Sequence, residues 1–488
     1  NNLQLNGGTL VLSKDNMGTD RQVVLTDTAT IRISQSNSAL SLKGQVSGTG
    51  YLVKDGAGQL NFTYGGANSF AGLIVKKGIV AQGAWNSTFG RSGSPMVLAG
   101  GEVHQIDVNS TSTVPTFNHV VTVEEGTTNR ILGSSRGKIN GSVKGKGSLT
   151  VETRYVRCDV GLNFKDFEGT LTAKGAGGNF RLMSNVTDMS KTRLKVEAGT
   201  YVAHYQSGSG SEMAATLKIG SLSGTAADAT LGGQSTYQIG YLGEDTSFSG
   251  LFKAARVTKV GDGKLTLRTP GHTSPIMVSG GTLELSNSTS TQFTTGLITV
   301  SEGGMLAGNA LAASVTVNKA GVLAAGISGV PGRLRIKNNL ALQQGAVVLC
   351  QLSASGNSSF TVGGNVTHNG DTILVRIPAA RKLAVGDELT LFSVTGSHTG
   401  QFVVKVEAED GETYTFDDSQ LLSDGKLVVA SVASGIGGVL LPEVPVDVYT
   451  SDGIRIYTQM PCAEAMKRLP RGTYLLVQGT ATRKLIKN

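Results

Sequence analysis

Aromatic residues make up only 5% of the 488-residue chain, and there is a single tryptophan, Trp85. So little ring area excludes the large globular core of an α/β enzyme and leaves stabilisation to many thin aliphatic layers. Proline is scarce too, at 10 residues. Glycine is abundant, at 67 residues, but it follows no Gly-X-Y period, which excludes collagen. Aliphatic residues alternate with Ser, Thr and Asn throughout, which excludes a disordered chain. The three cysteines, Cys158, Cys350 and Cys462, have no Cys-x-x-Cys or Cys/His spacing, so neither a zinc site nor a disulfide framework is expected. No apolar run reaches the ~18 residues of a membrane span. Asn1 opens without a charged-then-apolar leader, so the expectation is a removed signal or a fragment.

Charge is also thinly spread. The net +8 comes from 43 basic and 35 acidic residues, and the segment from Gly453 to Asn488 alone holds seven Lys/Arg against one acid, Glu464. The rest of the chain is close to neutral and shows no basic stripe interleaved with aromatics, which argues against a nucleic-acid partner.

What the sequence does contain is a repeat. A short phrase returns as IVKKGIV at 74–80, VLAGGEV at 97–103, VTVEEGT at 121–127, LKVEAGTYV at 194–202, IMVSGGTLEL at 276–285, ITVSEGGML at 298–306 and VTVNKAGVL at 315–323. Gly78, Gly101, Gly126, Gly147, Gly175 and Gly199 are spaced by 23, 25, 21, 28 and 24 residues, and Gly281, Gly303, Gly321 and Gly345 by 22, 18 and 24. A period near 22 with strand-type alternation and a glycine corner fits one coil of a β-solenoid, with successive coils paired in parallel. The expected fold is all-β, a parallel β-helix over residues 1–430 of about 18 coils, a rod on the order of 85 Å long. A propeller would need blades of ~40 to 50 residues, and a sandwich array would need regular hairpin signals. Gly7-Gly-Thr-Leu-Val-Leu12 already carries the phrase, so the first coil is expected to continue upstream or to be covered by a partner.

Residues 48–80, running from Gly48-Thr-Gly-Tyr-Leu-Val-Lys-Asp-Gly-Ala-Gly-Gln-Leu60 through Gly66-Ala-Asn-Ser-Phe-Ala-Gly72 to Ile74–Ile79, resemble the autotransporter-associated β-strand repeat of bacterial surface proteins. Val257–Leu267 and Val143–Val151 are similar to further copies. Gly303-Gly-Met-Leu-Ala-Gly308 and Gly386-Asp-Glu-Leu-Thr-Leu-Phe392 resemble the C-terminal part of autotransporter passengers. The resemblance implies a right-handed parallel β-helix displayed outside the cell, at the outer-membrane surface or secreted. After a linker at 431–442, residues 443–488 resemble the C-terminal sorting domain of type IX secretion cargo of Bacteroidota, a small β-sandwich. Asp452 and Gly453 fall on its strand turn, Gly472 and Tyr474 on its Gly-x-Tyr motif, and Arg483, Lys484 and Lys487 on its basic ending. That similarity implies the type IX machinery as a partner.

Catalytic patterns are weak. Glu102, Glu125 and Glu284 sit at different offsets from their coil glycines, so no acid pair for glycoside chemistry is in phase. Lys76, Lys77, Glu124, Glu125, Glu197, Glu302 and Lys319 precede corner glycines with mixed sign, as on a solvated corner. Gly133-Ser-Ser-Arg-Gly137 matches the G-x-S-x-G elbow around Ser135 but lacks its strand-to-helix setting. The six histidines are scattered, and Glu407, Asp410, Glu412, Asp417 and Asp418 form an acidic loop. Tyr51, Phe62, Tyr64, Phe70 and Trp85 are candidates for stacking on sugar rings, although aromatics more commonly cap the interior at coil ends. Asp27-Thr28 and Asp371-Thr372 resemble the Asp-Thr-aliphatic O-glycosylation acceptor of Bacteroidota, with Thr28 and Thr372 as acceptors. No catalytic residue, metal or cofactor is expected. The reading is a non-catalytic surface adhesin or stalk exported by a type IX-like route; the alternative is an accessory, glycan-binding region of a larger polysaccharide-degrading enzyme.

Overall fold

Each coil carries aliphatic residues at alternate positions of its strands, and the inward ones meet their counterparts in the coils on either side. In the computed structural model, which describes residues 2–155, 157–175, 177–434, 444–478 and 481–487, this stacking yields a parallel β-solenoid of about 17 turns, with 56% strand and 2% helix overall. Seventeen turns at ~4.8 Å each give a stack of about 82 Å, close to the length expected from the repeat. One ladder runs Leu52, Leu73, Met96, Val121, Val143. Another runs Leu60, Val80, Val103, Ile131, Val151, Ala173. All of these side chains are buried, and each burial is worth about 2 kcal/mol before the cost of ordering the chain. A third face is formed by Leu3–Leu5, Val23–Leu25 and Val46–Gly48 near one end, and by Leu311–Ala312, Arg333–Ile336, Ser359–Val362 and Phe392–Val394 near the other.

Six of the ten corner glycines, Gly78, Gly126, Gly199, Gly281, Gly303 and Gly345, take a positive φ, while Gly101, Gly147, Gly175 and Gly321 do not. Gly78 has φ +74°, and a Cβ there would lie 2.4 Å from the Gly58 carbonyl oxygen and 2.5 Å from that of Gly56. No residue with a side chain fits. In the coil where Gly321 is the expected corner, the positive φ (+57°) falls one residue earlier, on Ala320.

The C-terminal end of the stack departs from parallel pairing. Strand Lys426–Ser434 lies between Glu388–Thr390 and Glu412–Asp417 in an antiparallel sheet. Leu389, Tyr414, Leu427 and Val429 of this sheet join the same apolar cluster that begins at Leu12. The sheet thus caps the solenoid, a device that keeps an open coil from offering its edges and core to other chains. Residues 435–442 of the expected linker lie outside the described residues.

Beyond them comes a four-stranded antiparallel sheet in which Pro445–Thr450 and Gly472–Gln478 are central and Arg455–Pro461 and Ala481–Lys487 flank them. Its apolar cluster is its own: Val446, Val448, Cys462, Ala465, Leu469, Tyr474 and Leu476. These small antiparallel sheets answer to the β-sandwich expected at this end. The helix Cys462–Arg468 was not anticipated; it places Cys462 and Ala465 in the cluster and pairs Glu464 with Arg468 one turn on.

Candidate functional site

The aromatic strip is taken apart by strand alternation. Phe62 and Phe70 point inward, 1% and 0% exposed, and stack on each other with ring centroids 5.7 Å apart. The column continues through Phe89, Phe117 and His119. This corrects the reading of Phe62 and Phe70 as sugar platforms: parallel coils bring their rings into one interior stack with no free face. Tyr51 and Tyr64 are half-buried, and Trp85, 47% exposed, keeps a ring at the surface. Of the two glycosylation motifs, Asp27-Thr28 is exposed after strand Val23–Leu25. Thr372 sits mid-strand between Val347 and Val403, with Asp371 fully buried beside it, so the second motif is a piece of ladder and not a surface loop.

The sorting-motif residues converge on the C-terminal sheet. Gly453, at φ +88°, closes the turn with its N–H donating to the Thr450 carbonyl at 3.0 Å, and a hydrogen bond from the Thr450 side chain holds the Asp452 carboxyl below its ordinary range. Tyr474 packs back over Gly472, where a Cβ would lie 2.9 Å from the tyrosine hydroxyl. Arg483 and Lys484, both exposed, lie opposite Leu476 and Leu475 on the neighbouring strand. The side chain of Lys487 lies outside the described residues.

The catalytic patterns become structural. The hydroxyl and N–H of Ser135 both donate to Asp107 Oδ1, at 2.5 and 2.9 Å, which makes the Gly-x-Ser-x-Gly segment a carboxylate-capped turn. All three cysteines are buried, and burial pushes the Cys350 thiol up to about 12. Asp410 of the acidic loop accepts from the Tyr414 hydroxyl and from Lys382, and Glu407 pairs with Arg376. The corner charges Lys76, Lys77, Glu124, Glu125, Glu302 and Lys319 are exposed, as their mixed sign predicts.

Three arrangements escaped the sequence. First, the lysine of the repeat signature is internal: Lys54 Nζ donates to the carbonyls of Asp55, Gly56 and Lys77 at 3.0, 2.7 and 2.8 Å. Lys259 repeats the arrangement on Val260, Gly261 and Gly280 at 2.8, 2.8 and 3.1 Å. Burial brings both ammonium groups down to about 8, so they remain charged at neutral pH. The shared phrase, Lys followed two and four residues on by glycine, was the available signal. Second, charges alternate along one ladder: His104 and Arg130 flank Glu102 at 2.7 and 3.1 Å, and Arg130 and Lys174 flank Glu152 at 2.8 and 3.1 Å.

Third, two of the scattered histidines meet. His368 Nδ1 donates to the fully buried Asp371 carboxylate at 2.9 and 3.0 Å, and its Nε2 lies 3.0 Å from Nε2 of His398, 30 residues away. Separation by a whole coil hides such a pair from any local motif. Among the described residues no three His, Cys, Asp or Glu side chains gather around one point to hold a metal. No helix among them is long and apolar enough to cross a membrane. Two of the open clefts among the described residues carry several charged side chains. One, of about 320 Å³ beside the hairpin Gly326–Pro331, includes Lys264, Glu284, Gln351 and Arg376. The other, of about 550 Å³ on the third face, includes Arg333 and Arg335.

The chain matches no family model, and no curated protein is significantly similar to it.

Proposed function

We propose that the chain is a non-catalytic, cell-surface or secreted β-helical adhesin or stalk, exported by a type IX-like route with residues 443–488 as its sorting domain. The observation that carries this reading is the single apolar cluster running from Leu12 to Val429 through about 17 coils and into an antiparallel cap. Such a stack spaces its ends apart and presents long ladders of outward side chains, which suits display and adhesion. The separate cluster behind the Gly-x-Tyr strand, with Arg483 and Lys484 exposed on the edge strand, supports a docking module for an acidic export partner.

Deleting Glu443 to Asn488 tests the route. In a host with type IX secretion, the truncated chain should keep its solenoid melting transition and accumulate in the periplasm. Arrival at the surface would refute the sorting role.

One observation favours the accessory glycan-binding reading: in the cleft beside the hairpin, buried Glu284 accepts from the Ser328 N–H at 2.7 Å and the Thr266 hydroxyl at 3.2 Å, with Lys264 alongside. Turnover assays on pectins and host glycans separate the readings, since hydrolysis by this chain alone would overturn the non-catalytic one.

A further inference from the structure

From Leu285 to Gly370 the sequence contains one acid, Glu302, against four bases, Lys319, Arg333, Arg335 and Lys337. Two of those bases, Arg333 and Arg335, stand at alternate positions of strand Arg333–Ile336, and a third, Lys337, directly follows its end. Because Leu334 and Ile336 point into the core at 0% and 1% exposure, Arg333, Arg335 and Lys337 share the outward side of the third face. Alternate side chains on a strand are ~6.8 Å apart, which sets the spacing of the two arginines, and Lys337 extends the row past the strand's end.

In the ladder through Glu102 and Glu152, by contrast, Arg130 and Lys174 are paired with carboxylates. In this row no cation has a carboxylate within ion-pair distance among the described residues. Arg335 donates to the backbone carbonyls of Ser288, Thr289 and Asn309, which fixes its guanidinium in place without neutralising it. Lys337 donates to the neutral Gln292 Oε1 at 3.0 Å. The Arg333 side chain is exposed and makes no hydrogen bond or ion pair within the described residues. Arg333 and Arg335 line the open cleft of about 550 Å³, whose other lining residues include Ser288, Asn309, Asn357 and Ser359.

We infer that this face binds an acidic polysaccharide, its uronate or sulfate groups on Arg333, Arg335 and Lys337 and its hydroxyls on the flanking serines and asparagines. Guanidinium and ammonium groups held on a rigid strand meet carboxylate or sulfate oxygens with charge-assisted hydrogen bonds. Serine and asparagine donate and accept, as sugar hydroxyls require. A single-stranded nucleic acid fits less well. The rings of the adjoining coils, Phe293, Phe360 and Phe392, are 0%, 0% and 2% exposed, so the cleft has no platform on which bases could stack. The inference assigns a ligand class to the solenoid and does not depend on the export route.

The test uses the purified full chain and calorimetric titration with polygalacturonate oligomers, a sulfated glycosaminoglycan oligosaccharide, a neutral mannan and a single-stranded oligonucleotide, at low and physiological salt. One or both acidic glycans should bind and the mannan should not, and the acidic glycan that binds tighter identifies the anionic group. Arg333→Gln with Lys337→Gln should weaken binding by about tenfold or more while leaving the melting temperature unchanged. Lys76→Gln with Lys77→Gln, which removes the same charge at an exposed corner, should leave binding intact. Failure of both acidic glycans to bind, equal losses in the two double variants, or tighter binding of the oligonucleotide would each overturn the inference.

Discussion

The ladder through Glu102, Arg130, Glu152 and Lys174 and the row Arg333, Arg335, Lys337 stand on the same kind of scaffold, outward positions of stacked parallel strands, and handle charge in opposite ways. In the first, Glu152 lies between Arg130 and Lys174 of the coils on either side, and Glu102 pairs with Arg130 of the next coil, so charge ties one turn to the next. In the second, neighbouring coils contribute neutral groups, carbonyls and an amide among them, and the cations have no carboxylate partner among the described residues. A solenoid repeats its backbone, but each coil chooses its outward residues independently; the same ladder position therefore serves cohesion in one stretch and is free for recognition in another. The interior lysines mark the extreme of the first behaviour, since their charge is enclosed by backbone carbonyls.

Acid should produce the largest effect, and it acts on the inside. Burial holds His119 and His272 down to about 4, against 6.5 for a free imidazole. Between those values the unfolded chain takes up protons that the folded chain refuses. Stability present above pH 6.5 is therefore lost as the pH falls toward 4, and the melting midpoint should drop steeply across that window. A flat midpoint would show that these imidazoles are not buried neutral. The Arg333→Gln variant should follow the same curve, because its row takes no part.

Next in size is Lys54→Ala, which leaves the carbonyls of Asp55, Gly56 and Lys77 without their ammonium in a closed space. A loss of about 3 kcal/mol is expected in denaturant unfolding, with Lys259→Ala similar. Values near zero for both would break the distinction between enclosed and outward charge. Glu152→Gln comes third: it leaves Arg130 and Lys174 facing each other at a side chain only 12% exposed, at a cost of about 1 to 2 kcal/mol. Arg333→Gln should come last, within about 0.5 kcal/mol of the parent chain. If it cost as much as Glu152→Gln, the row would be structural and the comparison would collapse.

The coils were legible because two physical requirements left marks in the sequence: a two-residue alternation for the ladders and a corner that excludes a side chain, as at Gly78. Ala320 shows the limit of that reading, because the neighbouring glycine drew attention from the residue that takes the positive φ. Between a sugar platform and an interior cap, Phe62 and Phe70 stayed ambiguous because the glycine turn between them resets the phase of inward and outward positions, and no local window carries the phase across. Nothing local marks Lys54 and Lys259 as enclosed, since a lysine in a loop-like motif is ordinarily solvated. His368 and His398 meet only through the stacking of coils. The basic row was masked by averaging: a body near neutral overall contains a stretch with a single acid. Helix Cys462–Arg468 is too short for periodicity to show, although Ala-Glu-Ala-Met-Lys-Arg favours it.

The two ammonium enclosures also bear on how such a molecule changes length over generations. Each joins its own coil to the following one, Lys54 through the Lys77 carbonyl and Lys259 through that of Gly280. A gene duplication or deletion with a breakpoint between Lys54 and Lys77 would part the donor from an acceptor and leave a buried charge half satisfied. One that copies the span whole reproduces the enclosure and adds a turn at no electrostatic penalty. Inherited variants should therefore differ by complete turns, with junctions outside these spans, and the Lys-x-Gly-x-Gly phrase marks where a recombinant rod can be cut and rejoined.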